Sequence, residues 1–332
     1  MATALVFGAT GFLGHNLVGE LKAQGWRVIA VHRHSAETSA LASLGAELAP
    51  ANLLDRRSIM NVMPASADVV FHCAADRALW RPRNGVQRRF NVKSMRNIHY
   101  IAQNMGASCL VHASCAHVFM PGRGRVATET SPQYSTDFWV GGVAAKVAAE
   151  NMLRTLCNRG VEGIIVNPGV LLGPYDRGQW LTLCQQLLSD RLPAVLPGIQ
   201  RYAHAPSVAR AMIAAAERGG NGENYLLGGP RASQAEMLEK LAALLDVPVP
   251  GGPMPGWRLR LATALDEWRA RFRGREPALT RDALWLGSQQ LDFDDAKARA
   301  ELGYDTPDLD TCLAETVDWL SRHDLLGSDP LS

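Results

Sequence analysis

Short apolar runs alternate with amphipathic stretches through the first half of the chain. Thr3 to Phe7, Arg27 to His32, Asp68 to Cys73, Cys109 to Ala113 and Gly163 to Asn167 are nearly continuous apolar runs. A strand with one wet face alternates apolar and polar positions, whereas a strand of a parallel sheet covered on both faces does not. Between these runs, Leu13 to Gln24, Val86 to Met105 and Gly141 to Arg159 carry helical spacing. Repeated strand–helix–strand units predict an α/β fold built on a doubly wound parallel sheet.

After Pro174 the pattern changes. Helical segments at 179–190, 206–218, 233–245 and 257–274 are separated by Pro/Gly-rich links such as Val247 to Pro255. The expected division is a Rossmann domain over 1–174 and a smaller, mostly helical substrate domain over 175–332. Residues 201–229 return to the first domain, with Tyr225 to Leu227 as a further strand. The segment 257–274 carries Arg258, Arg260, Arg269, Arg271 and Arg273 around Trp257, Leu261, Leu265 and Trp268. A basic amphipathic helix marks a membrane surface or an acidic partner in some proteins. Here Asp266, Glu267 and Glu276 dilute the charge, which favours a solvated helix packing its apolar stripe over the second domain.

Composition narrows the function classes. The 332 residues carry a net charge of +2, too little to imply a nucleic-acid partner. No apolar run reaches bilayer length and no basic leader precedes the first strand, so the expectation is a cytoplasmic protein with no membrane partner. The six cysteines (73, 109, 115, 157, 184 and 312) lack metal-ligand spacing, which predicts reduced thiols and no metal.

The first strand runs directly into Gly8-Ala9-Thr10-Gly11-Phe12-Leu13-Gly14 and then a helix. Glycines in this order permit a tight turn and close approach of a pyrophosphate, which then sits at the positive end of the helix. The third glycine lets helix and strand pack closely. At the end of the second strand an acid would bind a ribose 2′-hydroxyl, whereas an arginine accommodates a 2′-phosphate. This chain reads Val31-His32-Arg33-His34, so Arg33 points to NADP(H) over NAD(H).

Taken together these motifs resemble the extended short-chain dehydrogenase/reductases, in their epimerase/dehydratase branch and closest in tone to the dihydroflavonol-reductase-like members. Gly8 to Gly14 is similar to the cofactor turn of that family, including Thr10, Phe12 and Leu13. Ala51-Asn52-Leu53 resembles its adenine-holding stretch, with Asn52 where an aspartate is usual. Phe71-His72-Cys73-Ala74-Ala75 resembles the strand end lining the cofactor, and Asn91-Val92 the start of the next motif. Val166-Asn167-Pro168-Gly169-Val170 resembles the loop on the nicotinamide, and Ala296 to Tyr304 the family's tail. The resemblance implies cofactor contacts at Ala74, Ala75, Pro168, Gly169, Val170 and Lys146, a small-molecule substrate, and a homodimer seamed by the helices at 86–105 and 141–159.

The departure lies at the chemistry. The family places a tyrosine four residues before its lysine, so that both face the cofactor and the lysine lowers the phenol's pKa. Lys146 matches the lysine, but Gly142 stands where the tyrosine belongs. The family's serine or threonine falls on Cys115, whose thiol is a weak donor. Ser114, Cys115 and His117 together admit an activated nucleophile or, more plainly, a small thiol filling the serine's space. Tyr134 is the nearest upstream phenol; Tyr175, Tyr202, His117 and His204 are further candidates. Gly141-Gly142 either opens the helix or leaves room for substrate or Trp139. Three functions remain open: an NADP(H)-dependent carbonyl reductase or alcohol dehydrogenase for a fairly apolar molecule; a lyase, dehydratase or cyclase on the same scaffold; and a catalytically silent nucleotide sensor.

Overall fold

The computed structural model describes residues 1–120, 126–249, 251, 256–273, 277 and 279–327, apart from the side chains of 271–273. Part of the link Val247 to Pro255, the side chains of Arg271 and Arg273, and Glu276 therefore lie outside the described set. The strands are β1 (Thr3–Phe7), β2 (Arg27–His32), β3 (Glu47–Pro50), β4 (Val69–His72), β5 (Cys109–Ala113), β6 (Glu162–Pro168), β7 (Val170–Leu172), β8 (Ile199–His204), β9 (Asn224–Leu227) and β10 (Arg231–Ser233). The helices of the first half are α1 (Phe12–Ala23), α2 (Ser39–Ser43), α3 (Arg56–Met60), α4 (Asn84–Asn104) and α5 (Gly141–Leu156). Those of the second half are α6 (Gln179–Leu188), α7 (Ala205–Arg218), α8 (Gln234–Leu244), α9 (Gly256–Arg273), α10 (Arg281–Ser288), α11 (Ala296–Leu302) and α12 (Leu309–Arg322).

Seven strands form one parallel sheet in the order β3-β2-β1-β4-β5-β6-β9. The order reverses between β1 and β4, which opens a crevice at their carboxyl ends. Both faces are covered, as the unbroken apolar runs require. Ala4 and Val6 pack with Leu17, Leu21, Met212 and Leu302, whereas Leu5 and Phe7 pack with Ile59, Met95, Ile98 and Leu153 on the other side. β9 completes the sheet against β6, so the chain does return after leaving it. Three further strands, β10-β8-β7, form a small second sheet under α6, α8 and α12, whose Trp180, Leu187, Leu238, Leu241 and Leu313 share a core. β3 escaped the pattern because it is an edge strand with exposed Glu47 and Leu48 and so has no continuous apolar run.

The expectation for α9 needs correcting. Its apolar stripe does not pack over the second domain: the buried side chains are Leu259, Thr263 and Ala270, and the tryptophans and Leu261 and Leu265 are exposed. Helical spacing admits two seams on this helix, and the one with smaller residues allows the closer approach.

His72 and His112 face each other across β4 and β5, ring centroids 5.0 Å apart and both buried. Burial, reinforced by the charge of Lys146, pushes His72 down to about 3; burial and then His72 itself push His112 well below its ordinary value. A histidine with a depressed folded pKa contributes its full stability above the unfolded value near 6.5 and loses it as pH falls toward the folded value. Urea midpoints should therefore hold steady above neutrality and fall below pH 6.5, by about 1.4 kcal/mol per such histidine at pH 5.5. His72→Gln should shrink that fall, and an unfolding curve flat down to the carboxylate range would contradict it.

Candidate cofactor and active site

The crevice is floored by the turn after β1. Gly8 has φ +83°, and a Cβ there would lie 2.5 Å from the Ala74 nitrogen. A Cβ on Gly14 would lie 2.1 Å from the Gly8 carbonyl oxygen. These contacts bring the exit of β4 and the first turn of α1 against one backbone segment. Gly8 and Ala9 N–H both donate to the Val31 carbonyl (3.2 and 3.4 Å), and Gly11 N–H donates to Gly8 (3.0 Å). α1 starts after Gly11 with no side-chain cap and no acid in its first turn. Its N–H groups and positive end are thus open to an anion. Phe12 and Leu13 are buried beneath the turn, with Thr10 half-buried. A glycine turn packed tightly between β4 and α1, at an uncapped helix start, fits a dinucleotide pyrophosphate.

Beside it, Arg33 and His34 are exposed at the end of β2. The adenine-side stretch is fixed in place. Asn52 Oδ1 accepts from Leu54 N–H (3.0 Å), Asn52 N–H donates to Ser58 Oγ (3.0 Å), and Asn97 Nδ2 donates to the Leu53 carbonyl (2.9 Å). Half-buried Ala74 and Ala75 lead into a loop held by α4: Asn91 Oδ1 accepts from Asp76 N–H (3.0 Å), and Gln87 Nε2 donates to the carbonyls of Asp76 and Ala78 (2.9 Å each). On the far side, Gly169 N–H donates to Leu227 (3.0 Å), and a Cβ on Gly169 would meet the Arg201 carbonyl at 2.2 Å. Pro168 thus ends β6, and Val170 begins β7, directly against β8.

Lys146 projects from α5 to the end of β5, where its Nζ donates to the Ala113 carbonyl (2.6 Å). Burial lowers its pKa, with nearby Cys115 opposing the shift. Burial pushes the Cys115 thiol up to about 11 despite Lys146. That direction disfavours a thiolate. The Cys115 carbonyl accepts from Asn167 Nδ2 (3.2 Å), which also donates to Glu150 Oε1 (2.8 Å). Fully buried Glu150 further receives Gln133 Nε2 (2.7 Å), Arg154 Nη2 (3.0 Å) and Asn224 Nδ2 (3.1 Å). This carboxylate knots α5, β6 and β9 to the loop carrying Tyr134. Tyr134 N–H donates to Val118 (2.9 Å), so that loop folds back over the exit of β5. The phenol ring stacks on Phe138 (4.1 Å) and meets Trp285 edge-on (5.6 Å), in the apolar cluster that also holds Cys115. Burial raises its pKa.

The other candidates disperse. Tyr175, at φ 74°, stacks on His15 of α1 (5.2 Å) and Tyr202 lies buried by Trp180. His204 is held between Ser207 Oγ and Glu315 Oε2. His117 is pushed down to about 4 by burial, and its Nε2 and the neighbouring Ser114 Oγ are buried without a protein partner. The orphaned Ser114 Oγ, next to the Ala113 carbonyl that Lys146 bonds, suits a ligand-facing wall.

The two glycines opening α5 have different reasons. Gly141 N–H donates to Asp282 Oδ2 (3.2 Å), and a Cβ on Gly141 would collide with the Asn84 amide at 2.2 to 2.5 Å. On Gly142 a Cβ would meet only Leu79 and Gln87, at 3.6 and 3.7 Å. Trp139 does not occupy that position: it is partly exposed, with Arg81 4.9 Å over its ring. Asp282, buried and with its carboxyl pKa raised by burial, also faces Arg81 Nε (3.4 Å). Single polar residues inside helical patterns, such as Gln87 and Asp282, carry no sequence signal of this role. Gly141→Ala must push the Asn84 amide aside, at a cost of about 0.5–1.5 kcal/mol, whereas Gly142→Ala should be neutral or stabilising by up to about 1 kcal/mol. Equal urea midpoints for the two variants would refute the distinction.

Comparison with known proteins agrees with this geometry. A dihydroflavonol 4-reductase-like protein of Synechocystis sp. is 29% identical over 326 residues, 96% of this chain and 94% of that one. The 4-hydroxy-2-methyl-3-oxo-4-farnesyl-3,4-dihydroquinoline-1-oxide ketoreductase of Stigmatella aurantiaca is 30% identical over 309 residues, 90% of each chain. Among solved structures, UDP-glucose 4-epimerase from Bifidobacterium longum in complex with NAD+ and UDP matches with a TM-score of 0.78 over 98% of this chain and all of that one; at 18% identity the likeness is one of fold. The model of the NAD dependent epimerase/dehydratase family matches residues 4–228, from the first residues of β1 through β9. With its glycine cradle, its lysine at the end of β5 and its closing strand inside that match, the chain belongs to the NAD dependent epimerase/dehydratase family, with the extended short-chain dehydrogenase/reductase fold.

Proposed function

We propose that the chain is an NADP(H)-dependent reductase or dehydrogenase acting on the carbonyl or hydroxyl of a small, fairly apolar molecule. The observation that carries this reading is the open glycine cradle beside Arg33, in one crevice with Lys146. In it, the N–H groups of α1 hold the pyrophosphate and Arg33 meets the 2′-phosphate. Lys146 and Ser114 would hold the nicotinamide ribose, and Pro168, Gly169 and Val170 would lie against the ring. When bound, the nicotinamide gives or takes a hydride. Tyr134 passes the proton to or from the substrate oxygen, in place of the phenol absent at Gly142. The aromatic wall of Tyr134, Phe138 and Trp285 suits an apolar substrate, and the ketoreductase relative acts on a farnesylated ring by its name.

Gly142 and Cys115 also support a second reading, a lyase, dehydratase or cyclase on the same scaffold. It expects substrate conversion with no net change in nicotinamide absorbance. Binding without any turnover would leave a silent sensor.

Two measurements test the first reading. NADPH should bind more tightly than NADH, and Arg33→Asp should weaken NADPH roughly tenfold to a hundredfold, the cost of one charge-assisted hydrogen bond; tighter NADH binding by the unaltered protein sinks the cofactor assignment. With a carbonyl panel, Tyr134→Phe should lower kcat on the order of 10² and leave NADPH affinity intact, while Gly142→Tyr should raise it. Unchanged turnover in Tyr134→Phe removes that residue from proton transfer.

A further inference from the structure

α9 carries two seams on opposite sides. Leu259, Thr263 and Ala270 are buried against the fold, and the helix is fastened there by Glu267, which accepts from Arg281 N–H (2.8 Å) and faces its side chain (3.2 Å). Trp257, Leu261, Leu265 and Trp268, spaced four, four and three residues apart, form the other seam. At 100° per residue the centres of the two seams lie roughly 180° apart. The second seam is 65%, 64%, 44% and 59% exposed along its length. Apolar surface left in water forfeits roughly 25 cal/mol per Å², and a continuous stripe of such residues marks a contact.

Charge indicates the kind of contact. Arg258 and Arg269 border the stripe on one side and Arg260 lies toward the other, all three exposed. The helix's acids sit on the opposite flank: Glu267 is largely covered, and Asp266 lies 3.8 Å from Arg269. A rim of arginines around tryptophan and leucine complements an anionic headgroup layer, with the indoles at the water boundary. Among the described residues no helix is long and apolar enough to cross a membrane, so the contact is peripheral.

We propose that α9 docks the protein on the surface of an anionic lipid bilayer, lying flat with Trp257, Leu261, Leu265 and Trp268 in the interface. This replaces the expectation of no membrane partner, which came from the lack of a spanning run. The stripe adjoins a cleft of about 180 Å³ between Trp80 to Pro82 and Ala264 and Trp268. Arg81 on its wall also reaches Asp282, which caps α5. Docking would set a bilayer beside this cleft.

The test is co-sedimentation of the full chain with phosphatidylcholine vesicles, with and without phosphatidylserine. Binding is expected with phosphatidylserine, weakening as salt rises and accompanied by a blue shift of tryptophan emission. The pairs Leu261→Gln/Leu265→Gln and Arg258→Glu/Arg269→Glu should each weaken it at least tenfold with an unchanged melting temperature. Absence of binding to either vesicle overturns the proposal, as does binding that both pairs leave intact. A dimer in light scattering that Leu261→Gln/Leu265→Gln abolishes, without vesicle binding, would assign the stripe to a second copy instead. These readouts do not depend on turnover, so they fail or succeed apart from the redox assignment.

Discussion

The constraint on which the rest of the structure depends is the crowding of backbone at the end of β1. From Ala4 to Phe7 the strand has no exposed surface, so it must stop abruptly where the sheet order reverses. Three other pieces of chain converge there: the end of β2 through the Val31 carbonyl, the exit of β4 at Ala74, and the first turn of α1. Only residues without a Cβ let all three arrive. Because they arrive, α1 begins uncapped and points its N–H groups into the crevice, and the hydrophobic faces of α1 and α7 close over Val6 and Val166. Binding capacity is thus a by-product of how the centre of the sheet is closed.

The chemical corner follows a different logic. Its groups are positioned by buried polar connections more than by apolar packing. Glu150 has no exposed surface, and it is tolerable only because four side chains donate to it. Through Asn167 that network reaches the Cys115 carbonyl. The same low polarity pushes Cys115 up and His72 down, which favours the neutral thiol and imidazole beside Lys146.

Much of this was legible in the sequence. The central strands β1, β2, β4, β5 and β6 announce themselves because both their faces are buried, and the glycine spacing after β1 announces the cradle. Lys146 and the departure at Gly142 were visible only through the family resemblance. What stayed hidden depends on partners distant in the chain. Edge strand β3 has no two-sided core to mark it. Asn84, whose amide packs against Gly141, and Asp282, which caps α5, are single polar residues whose meaning exists only after folding. The orientation of α9 was misjudged because periodicity finds a stripe without saying which way it faces.

The cap on α5 has a consequence for the order in which the protein matures. Asp282 emerges from the ribosome long after Lys146, and Thr316, which accepts from Gly173 N–H at the hinge of the second sheet, emerges later still. The glycine turn and the Ala74 segment it packs against lie within residues 8 to 74 and are covalently complete early in synthesis. The start of the helix that carries the lysine waits for the last sixth of the chain. The glycine turn is thus synthesised well before the carboxylate that caps the lysine-bearing helix.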